Sequence, residues 1–410
     1  MKILHVVAGV WKDSGGIAEF VLGCSREQVQ LGHEVTLTFL SGDLHDGLEA
    51  AKKAGVRVVV FRRSFPRFLF FSWDMLLGLG SLVRKADVVH VHSNWTFPVW
   101  LASSLALRYK KRLVMSPHGC YDPVRLKYHA WRKKITACLF DRRLAKRSNV
   151  IHILTRQEKR DAEVFLHIRK QENTPKFTVV PCGIDFPQKR LAEESRTSKL
   201  VVSLGRLHPL KGLDLLLCAW EKRITNNRDA SLDGKIAQSW KLVIVGPDQH
   251  GTRNELSRLA QTLGLKVEEK LPSAIGCAGW ETCDADVIFI GVVQGDEKWS
   301  LLTSADVFVL PSRTENFGIV VGEALACGVP VVMTDVGPWK TEMERYFDAG
   351  ESVPIQFEET SVSGIAEGLS KIMALDDKAR TEMGRNGCAW VRREFQWKRV
   401  AERMIEAYAD

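Results

Sequence analysis

Short runs of Val, Ile and Leu without polar alternation recur along the chain as KILHVVA, EVTLTFL, VRVVVF, DVVHVH, RLVMSP and NVIHIL, and the stretches between them have helical spacing. A strand that is apolar on both sides must be covered on both sides, which is the situation in a parallel sheet lying between two layers of helices. The pattern then restarts with KLVVSLG, WKLVIVG, DVIFIG, VFVLPS and PVVMTD. Two doubly wound α/β domains are therefore expected, and 410 residues with 45% hydrophobic content suffice for two cores.

Between the two series lies FPQKRLAEESRTSK, polar and charged with almost nothing to bury. The boundary is placed near residues 186 to 198, giving a first domain over 1–190 and a second over 198–392. The last segment, REFQWKRVAERMIEAYAD, sets Phe395, Trp397, Val400, Met404, Ile405 and Tyr408 at helical spacings, so it is an amphipathic helix that needs a groove. Sheets of this kind bind ligands beyond the carboxyl ends of their strands, so the loops that follow strands are where chemistry is sought.

Composition excludes several classes. Nine cysteines are scattered singly, and Cys277 and Cys283, the closest pair, have neither a redox spacing nor the companion pair of a zinc site; buried thiols in a reducing cytoplasm are expected. MKILHVVAGVW reads as a strand rather than a signal peptide, and no window approaches the roughly 18 uninterrupted apolar residues of a spanning helix. The expected location is cytoplasmic, with peripheral attachment to the inner face of the cell membrane left open.

The net charge of +9 is concentrated between Arg125 and Arg147, where Arg125, Lys127, Arg132, Lys133, Lys134, Arg142, Arg143, Lys146 and Arg147 face Asp141 alone. Such a block is a solvated helix face or a surface for anionic lipid or an anionic acceptor; no motif of a nucleic-acid binder accompanies it. FRRSFPRFLFFSWDMLLGLGSLVRKAD adds aromatics flanked by Arg, fitting either a helix packed on its sheet or an interfacial one.

Four loops carry the candidate chemistry. In VWKDSGGIAEFV, Gly15 and Gly16 precede a helical segment, where backbone amides approach an anion or an acceptor, although glycine also suits a tight turn. RLVMSP runs into His118, able to exchange hydrogen bonds with a sugar hydroxyl or simply to pack. SLGRLHPLKGLDLLL puts Arg206 after a strand and Lys211 just before a helix, an arrangement suited to a departing diphosphate. VFVLPSRTENFGIVVGEALACGVPVVMTD places Glu315 in a loop, Gly318 at a helix entrance and Glu323 inside that helix. Amides near Gly318 suit phosphate oxygens, and the carboxylates suit ribose and hexose hydroxyls.

Together these segments resemble retaining glycosyltransferase family 4, of the bacterial cell-surface polysaccharide type, over nearly the whole chain. The resemblance rests on Glu315-Asn-Phe-Gly-Ile-Val-Val-Gly-Glu323, the Ala-Cys-Gly-Val-Pro-Val-Val that follows, the Gly-Gly loop, VVHVHS, SPHG, VVPCGIDF and GRLHPLKGLD, in that family's order. It implies the B-type fold, two Rossmann-like domains facing across a cleft with the final helix, 393–410, crossing back to the first. It further implies that Arg206 and Lys211 contact the donor diphosphate, Glu323 the ribose and Glu315 the donor sugar. His118 lies by the reacting face, Gly16 closes over the phosphates, and Asn316, Phe317, Gly318 and Ile319 complete the donor site. Gly15, Gly16 and His118 would also meet the acceptor.

The reaction so implied transfers a hexose or N-acetylhexosamine from a nucleotide-diphosphate sugar to a saccharide or lipid-linked acceptor in polysaccharide or lipopolysaccharide synthesis. It follows a front-face route in which the leaving phosphate oxygen helps deprotonate the acceptor. No cofactor or metal is expected: Asp284-Ala285-Asp286 has the letters of a metal-binding pair, but Asp286 opens an apolar run instead of ending one. The loop HSNWTFP, Cys182 where the family has Asn, and a long stretch over 264–284 depart from the pattern and bear on substrate choice. The rival readings are a nucleotide-sugar epimerase of the same architecture and a non-catalytic sugar-nucleotide-binding protein.

Overall fold

A computed structural model describes residues 1–12, 15–67, 70–168, 174–187, 198–230, 239–249, 251–270, 283–348 and 351–409. The chain divides into two compact units, Met1–Gly183 with Phe395–Asp410, and Ile184–Glu394.

The first unit is built on β1 (Lys2–Val6), β2 (Glu34–Leu40), β3 (Arg57–Phe61), β4 (Val88–His92), β5 (Arg112–Ser116), β6 (Val150–Ile153) and β7 (Lys176–Val179). All pair in parallel, in the order β3-β2-β1-β4-β5-β6-β7. The second carries β8 (Ser198–Leu204), β9 (Ser239–Val245), β10 (Val267–Lys270), β11 (Val287–Ile290), β12 (Val307–Leu310), β13 (Val331–Thr334) and β14 (Ile355–Glu358). Its order is β10-β11-β9-β8-β12-β13-β14, again parallel.

These are two Rossmann-like sheets. Every residue of β4, β6, β11, β12 and β13 is buried, as strands covered on both faces must be. In each sheet the winding reverses beside the first strand, between β1 and β4 and between β8 and β12. The loops leaving those strands therefore part and leave room at the carboxyl edge.

Side-chain caps start several helices that flank the sheets. Ser72 accepts from the Met75 amide, Thr155 from Glu158 and Ser361 from Gly364. The division between the units falls at Gly183, ahead of the expected boundary. Ile184 packs on Gly322 and Phe186 lies under the Arg392 guanidinium, so the chain has joined the second unit before the polar linker begins. Residues 188–197 of that linker, and 271–282 of the long stretch, lie outside the described residues.

The final helix, Trp397–Ala409, packs on Gly16–Gln30 in the first unit and buries Val400, Met404, Ala407 and Tyr408. The Trp397 indole occupies space that only glycine leaves open. A Cβ added at Gly23 or at Gly183 would lie 2.3 Å from its ring atoms. Of the described cysteines, Cys24, Cys182, Cys283 and Cys327 are buried as expected, but Cys138 is exposed.

Gly23→Ala is expected to destabilise the first unit by about 1–3 kcal/mol through overpacking. Chemical denaturation of the full chain, followed by Trp fluorescence, would read a lowered midpoint; an unchanged midpoint would show that the indole shifts freely.

Candidate functional site

In the second unit two loops converge at the carboxyl edge of β8 and β12. Leu207 is fully buried and its amide bonds the Pro247 carbonyl at 2.9 Å, which pins the loop while Arg206 stands exposed beside it. His208 accepts from the Leu210 amide and begins the short turn Pro209–Lys211. Gly212 ends it at φ 62°, so close to β12 that a Cβ there would meet the Pro311 carbonyl oxygen at 2.0 Å. Only glycine allows this approach.

Arg313 fastens the two loops together. Its guanidinium grips the Asp214 carboxylate at 2.7 and 2.6 Å and the Pro209 carbonyl at 2.8 Å, and its amide bonds the Leu210 carbonyl at 2.8 Å. The pair holds the Asp214 carboxyl below its ordinary range, the hydrogen bond from Arg313 being the chief cause. Arg206 and Lys211 then line a small pocket with Gly205, Leu213 and Leu310.

Two part-buried ion pairs hold the candidate carboxylates. Lys211 bonds Glu315, which also accepts from the Ser312 hydroxyl at 3.4 Å and from the Asn316 amide at 3.3 Å. Glu323, buried in the helix Ile319–Ala326, bonds Lys298 Nζ at 2.7 Å. Gly318 precedes that helix at φ 74° without any capping side chain; the Val321 amide bonds the Gly318 carbonyl at 2.9 Å, which leaves the Ile319 and Val320 amides for another acceptor. Ile319 opens the helix, but the Phe317 ring turns into the core against Trp339, whose indole N–H takes the Phe317 carbonyl at 2.6 Å. Phe317 thus supports the loop from beneath.

Asp286 lies at the opposite, amino edge of the sheet. It immediately precedes β11, and its carboxylate accepts from the Lys266 amide at 2.9 Å.

In the first unit, Gly15 caps the helix Gly16–Gln30 at φ 56° without a side-chain hydrogen bond, and Gly16 is the first helical residue. His118 follows β5 in the left-handed region, at φ 52°, with Gly119 next to it at φ 76°. A non-glycine residue rarely adopts that backbone, and here a buried carboxylate enforces it. Glu158 accepts from the Gly119 amide with one oxygen and from the Leu154 amide with the other, at 2.8 Å.

Behind His118 lie four further buried imidazoles, His5, His90, His92 and His152. Burial lowers the affinity of all five for a proton, to about 3 for His118 and about 4 for His5 and His152, and well below the usual value for His90 and His92. Mutual repulsion among the rings lowers His90, His92 and His118 further.

The sequence reading passed over Lys298, Arg313, Asp214, Glu158 and these four histidines. A signal for the last was present: His90 and His92 alternate inside an otherwise apolar strand, and His5 and His152 occupy similar runs.

A family model described as Glycosyltransferase Family 4 matches residues 14–187, and one described as Glycosyl transferases group 1 matches residues 198–374; together they take in well over half of the chain. The chain belongs to glycosyltransferase family 4.

This glycosyltransferase is similar over 96% of its length to an uncharacterized glycosyltransferase of Methanocaldococcus jannaschii, at 27% identity and 94% of that protein. It is also similar over its full length to the GDP-mannose:cellobiosyl-diphosphopolyprenol alpha-mannosyltransferase of Xanthomonas oryzae pv. oryzae, at 23% identity and 97% of that protein. Among solved structures, Anabaena HepE in complex with UDP and glucose matches with a TM-score of 0.71 at 16% identity, covering 100% of this chain and 99% of that one. The fold is the B-type glycosyltransferase fold.

The buried histidines give the glycosyltransferase an acid-side weakness. In the unfolded chain imidazoles take up protons near pH 6.5, well above the folded values. Below about pH 6.5 the unfolded state therefore binds more protons, and stability falls as the pH drops toward about 4. Melting curves at constant ionic strength should show a midpoint steady above about pH 7 that declines through this window. A midpoint independent of pH there would contradict the burial of these rings.

Proposed function

We propose that the protein is a retaining, metal-independent hexosyltransferase that moves a hexose or N-acetylhexosamine from a nucleotide-diphosphate sugar to a saccharide or lipid-linked acceptor, in the assembly of cell-surface polysaccharide or lipopolysaccharide. The observation that carries this reading is Arg206 and Lys211 lining one pocket, with Glu315 paired to Lys211 and set against the helix entrance at Gly318, and Glu323 further along that helix. Fixed cations and amides suit the charge that accumulates on a departing diphosphate, and they need no reorganisation when it departs. Carboxylates suit vicinal sugar hydroxyls.

The Lys211–Glu315 pair fits ligand exchange. A phosphate oxygen takes the place of Glu315 on Lys211 and releases that carboxylate toward the donor sugar, with Asn316 and Ile319 completing the contact. Glu323 meets the ribose while Lys298 holds it in place. On the other unit, Gly15, Gly16 and His118 are assigned to sugar and acceptor recognition. The departing phosphate oxygen accepts the proton of the attacking hydroxyl. The new glycosidic bond then forms on the face from which the diphosphate leaves, and no side chain serves as the base. Nucleotide-sugar use is supported by the Xanthomonas relative, named for GDP-mannose and a diphosphopolyprenol, and by the UDP and glucose of the Anabaena structure.

A lipid-linked acceptor brings in the basic segment. Trp131, Ile135 and Leu139 are 64%, 51% and 60% exposed at four-residue spacing, among Arg132, Lys133, Lys134, Arg143 and Lys146. Asp141, the sole acid in this stretch, is turned inward, where its carboxylate accepts from the Trp100 indole at 3.0 Å and from the Trp95 amide at 3.2 Å. The outward face is thus cationic and apolar at once, as attachment to an anionic membrane surface requires. Among the described residues no helix is long and apolar enough to cross a membrane. The reading is of a cytoplasmic protein held peripherally on the inner membrane face.

Lys211→Ala and Glu323→Ala should each lower turnover about 100-fold or more while circular dichroism stays unchanged. The assay is sugar transfer with a donor selected by thermal-shift screening of common nucleotide sugars, with and without EDTA. Full activity in either variant would show the donor pocket to be misplaced, and loss of activity in EDTA would overturn metal independence. Flotation with phosphatidylglycerol-containing vesicles should show binding that high salt weakens and that charge reversal at Arg132, Lys133 and Lys134 abolishes. Binding unaffected by both treatments would remove the electrostatic attachment from the proposal.

A further inference from the structure

The five buried imidazoles of the first unit belong to one continuous hydrogen-bond chain, and its polarity is determined by its far end. The Val180 carbonyl can only accept, so His152, 2.8 Å away through Nε2, carries its proton there. A neutral ring has one proton, which leaves His152 Nδ1 as an acceptor for the Ser116 hydroxyl at 2.6 Å. The single Ser116 proton is then committed, so its oxygen accepts from His90 Nε2 at 2.5 Å. His90 Nδ1 is left bare and accepts the Tyr408 phenol proton at 2.6 Å.

The same alternation continues on the other side of Tyr408. Its oxygen accepts from the Gln28 amide nitrogen at 3.1 Å, and that nitrogen also faces Cys24 Sγ at 3.2 Å. The Gln28 carbonyl oxygen takes the proton of His5 Nε2 at 2.8 Å. His5 Nδ1 accepts from His92 Nε2 at 2.8 Å, and His92 Nδ1 from His118 Nε2 at 3.1 Å. The reverse polarity would set a lone pair of His152 against the Val180 carbonyl, deep in the unit.

We propose that this chain fixes the tautomer of His118, with Tyr408 and Gln28 as positioning residues that keep its proton on Nε2 and present Nδ1 as an acceptor for a sugar hydroxyl. The assignment of the tautomer stands on the network alone; its catalytic consequence rests on the reading of His118 as a sugar contact. Two features keep the relay neutral. Burial holds all five rings unprotonated at neutral pH, and it pushes the Tyr408 hydroxyl well above its ordinary value, so the phenol keeps the proton that it donates. Among the described residues His118 Nδ1 has no partner.

His5, His90 and His92 lie close enough together to suggest a cation site. Each of their ring nitrogens, however, already serves the chain, and a bound ion would take lone pairs that the neighbouring protons occupy. The relay and a metal site are therefore exclusive alternatives, and experiment can separate them.

The test is long-range proton–nitrogen correlation on the full-length protein labelled with ¹⁵N-histidine at neutral pH, with the His118 signals assigned by their loss in His118→Asn. The wild type should show His118 with a protonated Nε2 and a bare Nδ1. Tyr408→Phe cuts the chain in the middle, so the two halves should respond differently. His90 and His152, still anchored at Val180, keep their tautomers, whereas His5, His92 and His118 shift toward mixed tautomers. Gln28→Met should reproduce this asymmetry if Tyr408→Phe fails to fold.

A wild-type His118 protonated on Nδ1 would overturn the proposal. So would unchanged His118 signals in both variants, equal disturbance of the two halves, or a common shift of His5, His90 and His92 on adding one equivalent of Zn²⁺. In parallel, kcat/KM for transfer should fall about 3- to 10-fold in Tyr408→Phe, the loss of one oriented hydrogen bond. Mixed tautomers with unchanged kcat/KM would retain the relay and remove His118 from the sugar site.

Discussion

A parallel sheet covered by helices on both faces has no wet surface along its strands, and this constraint governs where the protein places its polar chemistry. Charges gather at the carboxyl edge of β8 and β12, where loops part beside the reversal of winding. There Gly212 lets one loop lie against the backbone of the other, and Arg313 with Asp214 ties them side by side. The closeness of these loops is what allows Lys211 and Glu315, 104 residues apart, to form an ion pair. Without the glycine, the lysine would have no fixed position from which to act.

The two ion pairs also explain how these charges persist in part-buried positions before any ligand arrives. An isolated buried lysine or carboxylate would be costly, and removing one partner of such a pair typically costs about 3–5 kcal/mol. Lys211 with Glu315 and Lys298 with Glu323 share that cost within the protein. Under the proposed function a phosphate oxygen replaces Glu315 on Lys211, and donor hydroxyls then hydrogen-bond the freed carboxylate.

Legibility in the sequence followed the distance over which each feature is encoded. The apolar runs, the glycine at position 318 and the spacing of Glu315 from Glu323 are local, and they gave the two sheets, the helix entrance and its flanking acids. Lys298 was not legible because nothing in GDEKWSLLT marks one exposed-looking lysine as the partner of a glutamate 25 residues on. The relay behind His118 was harder still: its members come from β1, β4, β5, β6, the helix Gly16–Gln30 and the last helix, and Tyr408 is 318 residues from His90. The two units part at Gly183, a few residues ahead of the polar linker, because such a linker shows only where packing stops. It does not show that Ile184 and Phe186 have already packed before it. Phe317 was read with its loop, yet the ring belongs to the core because Trp339 waits beneath it.

The last helix, finally, imposes an order of events on synthesis. Trp397 fills the space between Gly23 and Gly183, and Tyr408 closes the buried polar network, yet both are translated after the whole of the second unit. Until Trp397–Ala409 has been made, the first unit therefore keeps an open groove, and His90 Nδ1 lacks its phenol partner. The unit that is begun first is thus the one that cannot be completed until its final helix has been made.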